Sequence, residues 1–222
     1  MSDALLVFAK VPRPGNVKTR LTPVLTADEA ARLYEAFLAD ALAQYVALPV
    51  DVRLYLAPPL PEGGLDLVPN AVPVLVQEGA SLGARMRNAF AESLREYDRC
   101  CVVGTDHPTL PSAYLRKAFE VLGQDRALCI GPSEDGGYYL LGMSAFYPVL
   151  FEGMTYSHSR VFRDTLARVE KTDARLTVLP KWYDVDTPQT LEQLLNDLET
   201  TTADLPATRQ VVADLGLRAL VR

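Results

Sequence analysis

The stretch Val-Val-Gly-Thr-Asp-His-Pro-Thr-Leu, residues 102–110, decides the fold class that the sequence predicts. Its first residues continue an apolar segment that begins at Cys100, which is typical of a fully buried strand. Asp106 follows on a turn that a proline stiffens. Ligands of open α/β sheets bind at the carboxyl ends of strands, so this carboxylate is a candidate for contact with a substrate. Capping of the next helix is an equally ordinary role for Thr105 and Asp106.

Composition predicts one globular domain and excludes some kinds of protein. The chain has 222 residues, 49% hydrophobic and 23% charged, with a net charge of −6 and a pI of about 5.0. An acidic protein of this kind does not bind nucleic acid through bulk positive charge. No segment approaches the ~20 apolar residues of a membrane span, and residues 4–9 are too short for a signal peptide. We therefore expect a cytoplasmic protein, with the oligomeric state left open.

Alternating strand and helix patterns predict a mainly parallel sheet covered by helices. Residues 1–198 form the predicted domain, and residues 199–222 a link and a short helix. The three cysteines lack zinc-like spacing and are predicted to be buried thiols. Predicted strands cover residues 4–9, 50–56, 72–76, 100–103, 127–131, 138–141, 176–179 and 182–185.

The loop after the first strand is locally basic. It carries Lys10, Arg13, Lys18 and Arg20 without an acidic residue, and Gly15 allows backbone N–H groups to approach an anion. A solvated basic loop is the alternative, but we prefer a phosphate-binding role. The loop is not a P-loop, because the residue before the lysine is not glycine.

Arg85 is a further candidate for phosphate binding. Ser81 is predicted to cap the helix that contains it, so the arginine lies in the first turn, where a cation opposes the helix dipole. This placement suits an anionic partner. An ion pair with Glu78 or Glu92 is the structural alternative.

A second acidic turn lies between two predicted strands, at Asp135, Gly136, Gly137 and Tyr138. A hairpin turn by itself explains an Asp-Gly pair. Adjacent glycines beside a carboxylate also allow a ligand to lie against the backbone. We expect this turn to bind substrate, with Asp135 as a candidate catalytic residue.

Asp184 and Asp186 lie near the end of the last predicted strand, just before a helix capped by Thr187 and opened by Pro188. Positions two apart share a face of a strand, so both carboxylates are expected to face one site. A divalent cation would relieve their repulsion. The predicted metal ligands are Asp106, Asp184 and Asp186, with Mg²⁺ or Mn²⁺ as the cofactor.

Five motifs in chain order resemble the radical-SAM/selenodomain-associated transferase 1 family, whose members are also labelled arsenosugar-biosynthesis glycosyltransferases. The family is similar to the nucleotide-diphospho-sugar transferase (GT-A) superfamily. The motifs are F-A-K-x-P-x-P-G-x-V-K-T-R-L at 8–21, L-G-x-R-M at 82–86, G-T-D-x-P-x-L at 104–110, G-P-x-x-D-G-G-Y-Y-L-x-G at 131–142, and D-V-D-T-P at 184–188.

The resemblance implies a GT-A-like, Rossmann-like α/β/α sandwich of three layers. It matches Asp106 to the first metal-binding aspartate of the superfamily and Asp186 to the second. Lys18 and Arg20 match the basic loop that meets nucleotide phosphates, and we count Lys18 with Asp106 and Asp135 as candidate catalytic residues. Two departures are residues 155–158 on the acceptor side and His107 beside the first aspartate.

These features predict a metal-dependent transferase acting on a nucleotide or nucleotide sugar and a small-molecule acceptor. The main prediction is a nucleotide-sugar glycosyltransferase. The alternative is a nucleotidyltransferase that joins an NTP to a phosphorylated or carboxylated acceptor and releases pyrophosphate, which the basic loop favours. The third hypothesis is a non-catalytic nucleotide-binding module.

Overall fold

The computed structural model describes residues 2–220 of the chain. Within them the strands are β1 Asp3–Ala9, β2 Asp51–Leu56, β3 Val74–Val76, β4 Arg99–Val103, β5 Ala127–Pro132, β6 Tyr138–Met143 and β7 Arg175–Val178. The helices are α1 Ala27–Val46, α2 Leu82–Ser93, α3 Ser112–Val121, α4 Val161–Val169, α5 Pro188–Thr200, α6 Pro206–Asp214 and α7 Leu217–Leu220. None of these helices is long and apolar enough to cross a membrane.

The described strands form one sheet of seven, in the order β3-β2-β1-β4-β6-β5-β7. Strand β6 runs antiparallel to β4 and β5, whereas all other neighbours pair in parallel. The carboxyl ends of the six parallel strands therefore lie at one edge of the sheet, and β6 begins at that edge. The predicted α/β class with a mainly parallel sheet is confirmed.

Alternating side chains of the central strands fill two cores. Leu5, Val7 and Cys101 pack with α1 and α3 on one face, whereas Leu6 and Cys100 pack with α2 on the other. This alternation is what a strand buried on both faces requires. The two neighbouring cysteines thus lie in different cores, both as buried free thiols.

Local capping signals fix where the helices begin. Thr26 and Glu29 form a reciprocal capping box at the start of α1, and Thr187 caps α5 with Pro188 in its first turn. Helix α6 begins where the buried carboxylate of Asp40 on α1 accepts the N–H groups of Ala207 and Thr208, at 3.0 and 2.8 Å. The domain boundary at residue 198 stays a prediction.

Two local predictions are wrong. Residues 182–185 form no strand; a single bridge joins Trp182 to Ser133. The sequence also predicts a helix over residues 157–169 with Ser157 as its cap, but helix α4 begins at Val161, and Ser157 has a φ of 67°. The N-cap position typically has extended backbone, and a left-handed residue does not suit it.

Candidate active site

A cavity of about 520 Å³ opens at the carboxyl edge of the sheet. The ends of β1, β3 and β4, the start of β6 and the loop before α5 all contribute to its lining. The parallel direction of the strands explains this convergence, because segments far apart in the chain leave the sheet at the same edge. The lining residues used below are Phe8, Lys10, Lys18, Tyr34, Gln77, Leu82, Arg85, Asp106, Asp135, Gly137, Tyr138, Asp184 and Asp186.

Lys18 is the buried cation of this cavity. Its side chain is 1% exposed, and its ammonium group donates to a carboxylate oxygen of Asp106 and, at 2.9 Å, to Oδ1 of Asp186. The rings of Tyr34 and Phe37 lie 5.6 Å from the same nitrogen, within cation–π range. One positive charge therefore joins two carboxylates that lie 80 residues apart in the chain.

The backbone of Lys18 is held in an unusual conformation. Its φ and ψ are 50° and 34°, in the left-handed region, which costs a non-glycine residue of order 1 kcal/mol. Val17 anchors the loop by packing against Ala31 and Tyr34 of α1. This anchor and the two carboxylates stabilise a conformation that turns the lysine inward.

The charge of Lys18 is stabilised despite its burial. Burial alone lowers the pKa of a lysine, but the charges of Asp106 and Asp186 raise it, and the balance lies above the usual 10.5. Burial and the charge of Asp106 also raise the pKa of Tyr34 to about 12. Lys18 is therefore a permanent cation at physiological pH, and Tyr34 remains a neutral phenol.

Asp106 and Asp186 face the open side of the cavity. Their side chains are 45% and 42% exposed, although both contact a buried lysine. The two loops that carry them are joined directly, since the N–H of Val185 donates to the carbonyl of Asp106 at 2.8 Å. The N–H of Asp186 also donates to Oγ1 of Thr190, at 3.0 Å. The two carboxylates are thus fixed relative to each other by backbone as well as by Lys18.

Asp184 lines the same cavity but contacts different side chains. It accepts a short hydrogen bond from Ser133, and its Oδ1 lies 3.4 Å from Nδ1 of His107. Burial alone would raise its pKa, but the His107 ring and the Ser133 hydroxyl together hold the pKa below the usual 3.8. Because the predicted strand is replaced by a turn in which the N–H of Asp186 donates to the Asp184 carbonyl at 3.1 Å, the two side chains do not share a strand face.

The remaining residues of the basic loop are divided by the structure. Lys10 lines the cavity, as does Arg85, whose Nε donates to the carbonyl of Gly79 at 3.1 Å. Arg13, Gly15 and Arg20, all within the described chain, lie outside the lining. Their predicted role in phosphate binding stays a prediction, without a position in the cavity to support it.

The acidic turn is a hairpin, and it also contributes to the cavity. Oδ1 of Asp135 accepts the N–H of Gly137 at 2.8 Å, and these two residues line the cavity with Tyr138. Gly136 lies outside the lining; a Cβ at this position would come within 2.0 Å of the Ser159 carbonyl oxygen. Close packing against the backbone of Ser159, at a φ of 89°, explains this glycine.

Several lining residues were missed by sequence reasoning. Tyr34 lies in the apolar stripe of α1, and its hydroxyl contacts Thr105 at 3.1 Å and accepts the N–H of Lys10 at 2.9 Å. Gln77 directly follows a predicted strand. Asp106 was identified as a candidate because it lies at the end of a strand, and the same signal was available for Gln77. Ser133 and His107 lie outside the lining, and their role as partners of Asp184 could be identified only from the fold.

The carboxylates fit a hard divalent cation. Mg²⁺ is usually bound by one or two carboxylates together with substrate phosphates, and Asp106 and Asp186 provide two such side chains. Residues 2–220 contain no group of three or more His, Cys, Asp or Glu side chains arranged to hold a metal ion. Any metal here would therefore share its coordination with the substrate.

Comparison with known proteins reveals relatives that share most of the chain. Residues 40–158 match the family described as "Uncharacterized protein conserved in bacteria (DUF2064)". A 2-phospho-L-lactate guanylyltransferase from Halorubrum lacusprofundi is 31% identical over 186 residues, which cover 80% of this chain and 78% of that protein.

Two solved structures share the fold. A protein from Desulfovibrio desulfuricans G20, proposed to be a nucleotide-diphospho-sugar transferase, has a TM-score of 0.89 at 31% identity and covers 100% of this chain and 98% of its own. Rv0371c from Mycobacterium tuberculosis H37Rv, in complex with manganese, has a TM-score of 0.50 at 20% identity, with 88% and 99% covered. The sheet, the cavity at its carboxyl edge and these relatives together place the chain in the DUF2064 family, as an enzyme of the transferase class.

Proposed function

We propose that the protein is a nucleotidyltransferase that joins a nucleoside triphosphate to a small phosphorylated or carboxylated acceptor and releases pyrophosphate. The observation that carries the proposal is the buried Lys18 between Asp106 and Asp186, in a cavity that Lys10 and Arg85 also line. A triphosphate needs more local positive charge than a sugar diphosphate does. The 31% identical guanylyltransferase supports this choice over glycosyl transfer.

The reaction forms one P–O bond and breaks another. An acceptor oxygen attacks the α-phosphorus, the new P–O bond forms, and the bond between the α-phosphorus and the bridging oxygen breaks as pyrophosphate leaves. Lys18 donates hydrogen bonds to the phosphate oxygens on which negative charge develops. Because its ammonium group is fixed before the reaction and shielded from water, little reorganisation is needed in the transition state.

Asp106 and Asp186 are the proposed ligands of Mg²⁺ or Mn²⁺. When bound, the metal supplies charge neutralisation on the phosphates. Asp184 acts through its contacts with Ser133 and His107, which fix the turn that carries Asp186. These contacts make Asp184 a positioning residue in our proposal.

The acceptor is proposed to lie beside the hairpin turn. The carboxylate of Asp135 is oriented by the Gly137 N–H and faces the cavity together with Tyr138. A carboxylate fixed in this way can orient an acceptor or accept a proton from it. Bound groups aligned for attack gain rate by avoiding the loss of orientational freedom.

Glycosyl transfer from a nucleotide sugar is the second candidate. One observation favours it, the TM-score of 0.89 to a protein proposed to be a nucleotide-diphospho-sugar transferase. The resemblance to the radical-SAM-associated transferase 1 family points the same way. The two reactions leave different products, pyrophosphate in one case and a nucleoside diphosphate in the other.

Product analysis tests the proposal. The protein is incubated with each of the four NTPs, Mg²⁺ or Mn²⁺, and a panel of acceptors that includes 2-phospho-L-lactate. We expect pyrophosphate release that depends on the acceptor and is lost in Asp106→Asn. Release of a nucleoside diphosphate from nucleotide sugars, without pyrophosphate release from any NTP, would favour glycosyl transfer instead.

A further inference from the structure

Gln77 is a buried polar residue at the end of β3 that the proposed chemistry does not use. Its side chain lines the cavity although the residue is only 6% exposed. Its backbone N–H donates to the carbonyl of Leu56 at 2.9 Å, continuing the pairing of β2 with β3. The residue is thus fixed by the sheet itself.

The two carbonyls beside its side chain determine the orientation of the amide. Nε2 of Gln77 donates to the carbonyl of Ala9 at 3.0 Å and to that of Tyr55 at 2.9 Å. The flipped amide would place its oxygen against two acceptors and lose both bonds. The NH₂ group is therefore committed to the ends of β1 and β2.

This commitment leaves Oε1 as a free acceptor. No donor among residues 2–220 bonds to this oxygen, yet the oxygen is not among the side-chain atoms enclosed without a partner. It is therefore accessible to solvent, and Gln77 is one of the residues that line the cavity. An acceptor held by two hydrogen bonds on its own amide loses little freedom when a ligand donates to it.

Apolar side chains line the same cavity as this acceptor. Phe8 stacks on Tyr55 of the neighbouring strand with ring centroids 5.5 Å apart, and Leu82 at the start of α2 is 43% exposed. Apolar walls with one oriented polar group are typical of a specific small-molecule site. A planar heterocycle with an N–H on its edge has the matching chemistry.

We propose that Gln77 determines base specificity by accepting a hydrogen bond from an amino or imino N–H on the edge of the nucleobase. The inference rests on the proposed function, since it assigns the base of the same nucleoside triphosphate. A base edge that presents only acceptors at this position meets the fixed oxygen and is rejected. Rejection is strong at such sites because the polar group of the protein is then left without a partner.

The test compares Gln77→Met, which preserves length and volume, with Gln124→Met on the exposed surface. Dissociation constants are measured for GTP, ATP, CTP, UTP and inorganic triphosphate. In Gln77→Met we expect the preferred NTP to bind at least about tenfold more weakly, as for loss of one base contact, with differences among the four NTPs reduced. Affinity for inorganic triphosphate remains at the wild-type value, and Gln124→Met changes nothing.

A second measurement uses the wild-type protein, in case loss of the two strand contacts unfolds the variant. The side-chain carbonyl carbon of Gln77, assigned by NMR, shifts on addition of the preferred NTP and not on addition of inorganic triphosphate. No shift, or unchanged base discrimination in a folded Gln77→Met, overturns the inference while pyrophosphate release stands. Failure of the wild type to bind any NTP overturns the proposed function as well.

Discussion

Replacing Lys18 by methionine separates the catalytic role of its charge from its structural role. Methionine preserves the unbranched side chain in the contact with Tyr34 and Phe37 but removes the ammonium group. Asp106 and Asp186 then lose their shared partner. The expected result is a folded protein with very little turnover.

The exposure of the two carboxylates determines how much stability the Lys18→Met substitution costs. Removing one partner of a fully buried ion pair costs about 3–5 kcal/mol, because a buried charge is left uncompensated. Here the remaining side chains are 45% and 42% exposed, so water solvates them. We therefore expect a loss of unfolding free energy of about 1–2 kcal/mol. Loss of one preorganised donor to a transition state lowers kcat about 100- to 1,000-fold, or about 2.7–4 kcal/mol.

The assay combines urea denaturation with pyrophosphate release under saturating NTP. Lys117→Met is the matched control, since Lys117 is an exposed lysine on α3 and its loss should leave both measurements unchanged. If Lys18→Met is stably folded and retains kcat within about threefold of wild type, a difference of under 1 kcal/mol, Lys18 does not act on the transition state and the reasoning fails.

Three further predictions follow from the same geometry. Lys10→Ala and Arg85→Ala should weaken NTP binding more than Arg20→Ala does, because only the first two line the cavity; equal losses by calorimetry would contradict this placement. Asp40→Ala should lower the unfolding free energy by about 1–3 kcal/mol, since the buried N–H of Thr208 and the half-buried N–H of Ala207 lose their acceptor, with kcat retained; a loss of activity without a loss of stability would contradict this prediction. Burial and the charge of Asp106 raise the pKa of Tyr34 from 10.0 to about 12. The neutral phenol therefore stabilises the fold fully below pH 10, and this stabilisation is lost between about pH 10 and 12. If the unfolding free energy of Tyr34→Phe falls as steeply as that of the wild type over this pH range, the prediction is refuted.

The fold class could be predicted because its signals are local. The apolar run that ends at Gly104 depends on neighbouring residues, and its strand lies where the sequence predicted it. The convergence of Asp106 and Asp186 was also expected from sequence, although the predicted strand at 182–185 is in fact a loop that the Trp182–Ser133 bridge and the Val185–Asp106 hydrogen bond hold at the carboxyl edge.

Side-chain direction in the loops could not be predicted in this way. The orientation of Asp184 depends on Ser133 and His107, which lie 51 and 77 residues away in the chain. Lys18 has left-handed backbone and is buried in the cavity, whereas Arg20, two residues later in the same loop, is exposed and lies outside the lining. Tertiary contacts determine these side-chain orientations, and composition and periodicity give no information about such contacts.

The most direct test of the central claim is a crystal structure of the protein with Mn²⁺ and a non-hydrolysable NTP, measured at a wavelength that locates manganese by its anomalous scattering. The account predicts a manganese peak within coordination distance of the Asp106 and Asp186 carboxylates, with the phosphates beside Lys18 and the base against Gln77. A nucleotide bound outside this cavity, or manganese bound away from both aspartates, would contradict it.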